Sequence, residues 1–126
     1  EIKDIESLEE ALIKRINYFA DHGCKASDHA LKYVPYKNIE NEKLNKILAK
    51  KLSGEEVNLE EEEAYKTKIL TFLAREYQKR DWVMEIHIAS IRDNSKIMFN
   101  RLGPDVGNDG VHDESYAANF ANLLSK

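Results

Sequence analysis

Four histidines, an arginine just beyond an apolar run and a glycine-rich loop are where this sequence could do chemistry. The histidines are His22, His29, His87 and His112. No two have the i, i+4 or His-x-His spacing that brings two imidazoles of one element onto one metal ion. His22 ends a helical pattern, where a cation is favoured by the helix dipole, and reads as a cap. His112 sits in the glycine-rich stretch without an evident partner. His29 and His87 each fall at or near the carboxyl end of a predicted strand, where α/β architectures bind ligands. For both, a site residue and a satisfied structural histidine remain open. Asp28 precedes His29, and adjacent strand residues face opposite ways, so only one of them need point into a site. Arg92 lies five residues beyond His87, where strand gives way to loop. Its planar fork suits a carboxylate or phosphate, with a surface ion pair as the alternative.

The remaining signals are weaker. GPDVGNDG, residues 103–110, looks like a phosphate loop but lacks both the GxGxxG spacing and a GK[ST] ending. Asp105 and Asp109 do not form the ligand ladder of a calcium loop. Cys24 has no activating base in view and reads as an inert buried thiol. As the single cysteine it forms no internal disulfide, which fits a reducing compartment.

These side chains need elements to hold them. Ser7 with Glu10 reads as a capping box, followed by Leu8, Leu12, Ile16, Phe19 and Ala20 at helical spacing and by Gly23 as a stop. Residues 24–29 predict a short extended segment, and Pro35 excludes a smooth helix after it. Residues 42–52 predict a helix burying Leu44, Ile47, Leu48 and Leu52. Asn58 with Glu61 starts another, whose first turn holds Glu60 to Glu63 and whose end holds Lys79 and Arg80, matching its dipole. Ile69, Phe72, Leu73 and Tyr77 form its buried stripe, and the glutamate run reads as a solvated face.

Residues 82–91 predict the best strand, with Met84, Ile86 and Ile88 on one face and Glu85, His87 and Ala89 on the other. A small residue beside a histidine on the polar face would also suit a barrel interior near its mouth. Residues 92–102 predict one or two helical turns, and 103–113 a loop. Residues 115–124 predict a helix with Ala118, Ala121 and Leu124 or Phe120 inward. Two short strands about fifty residues apart do not make a stable sheet alone, so the order reads as consecutive units of a larger parallel α/β structure.

Composition sets the outer limits. A chain of 126 residues holds one ordinary domain, and 42% hydrophobic with 33% charged residues describes a soluble globular protein. A net charge of −4 provides no global basic field for nucleic acid. The apolar stretches are too short for a membrane span, and the start is unlike a signal peptide. Beginning at Glu1 rather than methionine points to a trimmed or excised product.

Three segments carry a resemblance. HGCKASDHAL, residues 22–31, is similar to the HGC+xSDHxL stretch of the uronate isomerases. WVMEIHIASIRDN, residues 82–94, resembles that family's W-V-x-x-x-H-I-G-A-L-R-N-N, and LGPDVG, residues 102–107, resembles its LGPDxG. The order and separations match, and the helical insert has a counterpart there. Ala89-Ser90 replaces the family's Gly-Ala, Asp93 replaces its first asparagine, and Asn108 stands where an aromatic is usual before Asp109.

The resemblance implies an α/β chain, a helix-rich fragment of a (β/α)8 TIM barrel of the amidohydrolase superfamily. Residues 1–126 would be a single partial domain with a helical insertion at 38–81 between two strands. It implies aldose–ketose isomerisation of D-glucuronate to D-fructuronate and of D-galacturonate to D-tagaturonate. A proton leaves C2 and returns at C1, which needs a placed base, acids at the sugar oxygens and a carboxylate anchor.

By the same resemblance, His87 would be the catalytic donor to substrate oxygens and Arg92 the carboxylate anchor or a loop-shaping residue, with Asp28 and His29 near the same mouth. A divalent metal, often zinc, would be held by a His-x-His pair and an aspartate that this chain lacks, so no metal ligand and no cofactor are expected in it. The full-length enzyme is expected to be a cytoplasmic homo-oligomer taking a small uronate sugar, with neither nucleic acid nor membrane as partner. The fragment alone is expected to be inactive, and its unpaired strand edges invite pairing with another copy. Two alternatives are a non-catalytic helical interaction module, and a metal-dependent hydrolase with His29 and His87 as ligands. The three ordered motifs favour the isomerase.

Overall fold

One helix, α3 (Leu59–Gln78), is the spine on which the other elements assemble in the computed structural model, which describes residues 1–126. Its start follows the sequence. Asn58 Oδ1 accepts from Glu61 N at 2.9 Å, and Glu61 Oε2 accepts from Asn58 N at 2.8 Å, so two otherwise orphaned donors are satisfied. The buried residues Ala64, Thr67, Leu70 and Leu73 recur every three positions. Each step falls about 60° short of a full turn, so the stripe winds around the helix and meets different partners along its length.

Ala64 meets Ile5, Leu44, Ile47 and Leu48; Leu70 meets Val34 and Leu123; Leu73 and Tyr77 meet Ile16. The stripe expected from Ile69, Phe72, Leu73 and Tyr77 is therefore too narrow. Only 15 of 126 residues are buried, so these three small clusters make up nearly all of the core and α3 joins them.

Helix α1 (Ile5–Asp21) begins earlier than Ser7 and Glu10 predict. Asp4 is the cap, with Ser7 N donating to its Oδ1 at 2.8 Å, and Ser7 Oγ accepts from Asp4 N at 3.1 Å. The earlier start prevails because Ile5 is fully buried and its N–H donates to Asn45 Oδ1 of α2 (Asn41–Leu52) at 2.8 Å. At the other end Gly23 takes φ +85°, with Cys24 N on Phe19 O and Gly23 N on Ala20 O, both at 3.0 Å.

Strands β1 (Ala26–Leu31) and β2 (Val83–Ile88) pair in parallel, from Ala26 opposite Val83 to Leu31 opposite Ile88. The segment 38–81, expected as an insertion, holds α2 and α3. Of these α3 lies against Met84 and Ile88 of the sheet and is the crossover between parallel strands, while α2 packs on α1 and α3.

The strand expected to run to residue 91 is broken at Ala89, whose φ is +69°. Beyond the break β3 (Ser90–Ile91) pairs antiparallel with β4 (Gly110–Val111), a strand inside the predicted loop. Helices α4 (Lys96–Leu102) and α5 (Ala117–Leu124) complete the chain. In α5 the inward residues are Phe120 and Leu123, while Ala118, Ala121 and Leu124 face outward. Asn119 Nδ2 donates to Val34 O at 3.0 Å and sets that rotation. Leu52, expected inside, is also exposed.

The glutamate run is only partly a solvated face. Glu61 pairs with Lys50 of α2 at 2.9 Å, and Glu62 pairs with Lys66 one turn on. Farther along α3, Glu76 is buried and holds Lys79 and Arg80, and Arg80 Nη2 donates to Asn17 Oδ1 of α1 at 2.6 Å. The hydrogen bonds from Lys79 and then Arg80 hold its carboxyl below the ordinary 4.5, outweighing burial.

A lowered folded pKa means stability that is present above pH 4.5 and lost as the pH falls through the lower folded value. Glu76→Gln should cost about 1–2 kcal/mol at pH 7, and the gap to the parent chain should shrink as the pH drops below 4.5. Urea melts at both pH values check this, and an undiminished gap at acid pH would contradict it. No helix is long and apolar enough to cross a membrane.

Candidate functional site

Pleating divides the residues of the parallel pair between two faces. Ser27, His29 and Leu31 with Met84, Ile86 and Ile88 are half-buried on the side of α3, whereas Ala26, Asp28 and Ala30 with Val83, Glu85 and His87 are exposed on the other. In the parallel register Asp28 stands beside Glu85, and the small Ala30 stands beside His87. The imidazole leans over both acids: Nε2 lies 3.0 Å from Asp28 Oδ1 and 3.2 Å from Glu85 Oε1. A histidine straddling two carboxylates is held in one orientation and keeps its other edge for a ligand. With Nε2 taken by the carboxylates, Nδ1 is the free nitrogen, and when the ring is protonated it can give a hydrogen bond or a proton to an oxygen placed over the sheet.

Sequence reasoning placed Glu85 on this face but assigned it no role. Its only signal was the two-residue spacing to His87, which acquires meaning once Asp28 is known to lie in register.

His29, expected beside Asp28 at the same mouth, is placed on the opposite face. Its ring stacks on Tyr77 at 5.8 Å, its Nε2 is buried without a protein partner, and burial lowers its pKa below 6.5 against the opposing charge of Asp28. His29 and His87 therefore cannot share one metal ion. Nor does any group of three His, Cys, Asp or Glu side chains converge as a metal site.

Arg92 lies past β3 and does not join the Asp28–Glu85–His87 trio. Its Nη1 donates to Asp109 Oδ2 at 2.6 Å, and that hydrogen bond, with the nearby aspartates, raises its pKa and secures its charge. Asp109 Oδ1 also accepts from Asp93 N at 3.0 Å, and Asp93 Oδ1 accepts from Asp105 N at 2.9 Å. The 92–94 and 103–110 segments are thus knotted together.

His112, without a visible partner in the sequence, meets one eighty positions away: Nε2 is 2.5 Å from Lys32 O. Its own N–H donates to Ala89 O at 3.1 Å, so it pins the loop to the carboxyl end of β1. His22 caps α1 as expected, with Nδ1 2.7 Å from Tyr18 O, whereas Cys24, expected buried, is only half-buried and donates Sγ to Ala26 O.

The turn that swings the chain from His87 towards Arg92 is strained. Ala89 is buried and takes φ +69°, where the motif it resembles has glycine. A Cβ in that conformation costs about 1–2 kcal/mol, partly offset by the greater freedom of unfolded glycine, so Ala89→Gly should stabilise the chain by about 0.5–1 kcal/mol. Asp93 and Asp105, also at positive φ, are of a type that tolerates it. Chemical denaturation of Ala89→Gly checks the prediction, and a destabilised variant would sink it.

The family model described as glucuronate isomerase matches residues 1–126. A uronate isomerase of Pectobacterium atrosepticum is 43% identical over 126 residues, covering 100% of this chain and 27% of that protein. Among solved structures, a uronate isomerase from Thermotoga maritima superposes with a TM-score of 0.87 at 29% identity, over 98% of this chain and 28% of its own. A glucuronate isomerase from Caulobacter crescentus superposes with a TM-score of 0.83 at 25% identity, over 100% of this chain and 26% of its own. The chain thus spans about a quarter of the length of the relatives it matches.

Proposed function

This chain belongs to the glucuronate isomerase family, and from that membership we propose that it supplies part of the active site of a longer uronate isomerase. The reaction is the aldose–ketose isomerisation of D-glucuronate to D-fructuronate and of D-galacturonate to D-tagaturonate. The fold of the longer protein would be a (β/α)8 barrel of the amidohydrolase superfamily. A parallel strand pair with helix α3 on one face and a bare polar face on the other supports this, since barrel strands carry helices outside and site residues inside. The observation that carries the proposal is the gathering of Asp28, Glu85 and His87 on that bare face.

In this reading His87 donates to a sugar oxygen as charge develops on it, and Asp28 and Glu85 fix its ring. Arg92 keeps the donors that Asp109 does not use, and a uronate carboxylate matches their geometry. The base that takes the C2 proton is assigned outside these residues. So is any divalent metal, zinc included, because the carboxylates of Asp28 and Glu85 are turned onto His87 Nε2 and no three such side chains are arranged as a metal site. His29, behind the sheet, is left out of substrate contact. Residues 1–126 alone are read as inactive, and the full-length enzyme as a cytoplasmic homo-oligomer with neither nucleic acid nor membrane as partner.

The test is steady-state kinetics of the full-length enzyme on both uronates. His87→Asn should lower kcat by roughly ten- to fiftyfold with a smaller change in KM, the loss of a hydrogen bond that strengthens in the transition state. A folded full-length protein inactive on both sugars would refute the function. An undiminished His87→Asn kcat would remove His87 from it.

A further inference from the structure

We propose that Asp109 positions Arg92, holding its guanidinium so that one edge stays open for the substrate carboxylate. Asp109 reaches the arginine from across the loop, 17 positions later, and its two oxygens do different work. Oδ2 takes the Arg92 Nη1 hydrogen bond at 2.6 Å, and Oδ1 takes the Asp93 backbone N–H at 3.0 Å. The carboxylate is therefore fixed to the backbone next to the residue it orients. The loop has little room to shift: a Cβ on the adjacent Gly110 would come within 2.9 Å of Asn94 Nδ2.

A guanidinium has five donors in one plane, so a single contact through Nη1 leaves the Nε–Nη2 edge for a bidentate carboxylate. The Arg92 side chain is 59% exposed and that edge has no partner within the chain. Asp105 and Asp93 also lie close enough for their charges to act on the guanidinium, yet its one hydrogen bond is to Asp109. This inference rests on Arg92 being the carboxylate anchor, and the experiment separates the two.

In the full-length enzyme, Asp109→Asn keeps an oxygen for Asp93 N but turns an amide towards Arg92, so the backbone tie survives and the orienting contact does not. KM for D-glucuronate should rise about tenfold, with kcat within about threefold and Tm unchanged, because a misaimed anchor weakens positioning rather than folding. In an Arg92→Ala background the same change should add less than about twofold, since the two residues act as one unit. Asp109→Glu, which keeps the charge, should fall between Asp109→Asn and the parent enzyme.

A KM unchanged in Asp109→Asn, a full independent effect in the Arg92→Ala background, or a lowered Tm that accounts for the loss would each overturn the positioning role. Parent-like constants in Arg92→Ala would overturn the anchor itself and this inference with it. A damaged Arg92→Ala beside a silent Asp109→Asn would leave the anchor standing and remove only Asp109.

Discussion

Arg92→Ala in the full-length enzyme should lower kcat/KM for D-glucuronate by roughly thirty- to a thousand-fold, about 2–4 kcal/mol. The size follows from what is removed. A charge-assisted bidentate contact is lost, and the substrate carboxylate is left partly desolvated without a partner. Arg92 keeps its charge because a guanidinium is not deprotonated under working conditions, and its bond to Asp109 favours the charged form further. Arg92→Lys should recover only part of the loss, since a point charge has one direction where the fork has two parallel ones. Removing Arg92 also releases Asp109, so circular dichroism and thermal melts must show that the loop knot has not simply come apart. A folded Arg92→Ala enzyme with parent-like constants would reduce Arg92 to a surface ion pair.

Tyr77→Ala should destabilise the 126-residue chain by about 3–5 kcal/mol, the cost of deleting a large buried aromatic and leaving its cavity. Tyr77 is 6% exposed and lies between two rings, His29 at 5.8 Å and Trp82 at 5.6 Å. It joins α3 to α1 through Ile16 and to the sheet through Met84. With so thin a core, this loss should remove most of the cooperative urea transition. Leu52→Ala and Leu124→Ala, both leucines that helical spacing would place inside, are 57% and 69% exposed and should cost less than about 0.5 kcal/mol. The contrast is the test: comparable losses from all three variants would mean that the clusters around α3 do not hold the chain together.

Those two leucines mark where periodicity stops being informative. Spacing tells which residues can share a face, and Leu44, Ile47 and Leu48 are buried as their spacing predicts. It does not tell where a neighbour ends. Leu52 is the last residue of α2, beyond the reach of α1 and α3, and α5 is turned by the bond from Asn119 to Val34, 85 positions away. The same limit applies to Ala89, whose composition continues an alternating strand while its backbone turns out of it. The glycine in the resembling motif was the local clue to that turn.

Sequence alone determined the helices, the two parallel strands and the chemical alphabet of the site. Capping at Asn58, the stop at Gly23, the alternation from Val83 to Ile88 and the three ordered motifs are local patterns, and local patterns survive in a linear string. Tertiary structure decided which of the named residues meet. Asp28 and His29 are neighbours in the chain, yet the pleat sends them to opposite faces, and only the parallel register of β1 on β2 selects Asp28 for His87. Glu85 enters the site by that same register, and Arg92 acquires Asp109 only when the glycine-rich loop folds back across β3. The strand pairing and loop closure that build the site join positions from 17 to nearly 60 residues apart, and that information lies in packing geometry rather than in any window of sequence.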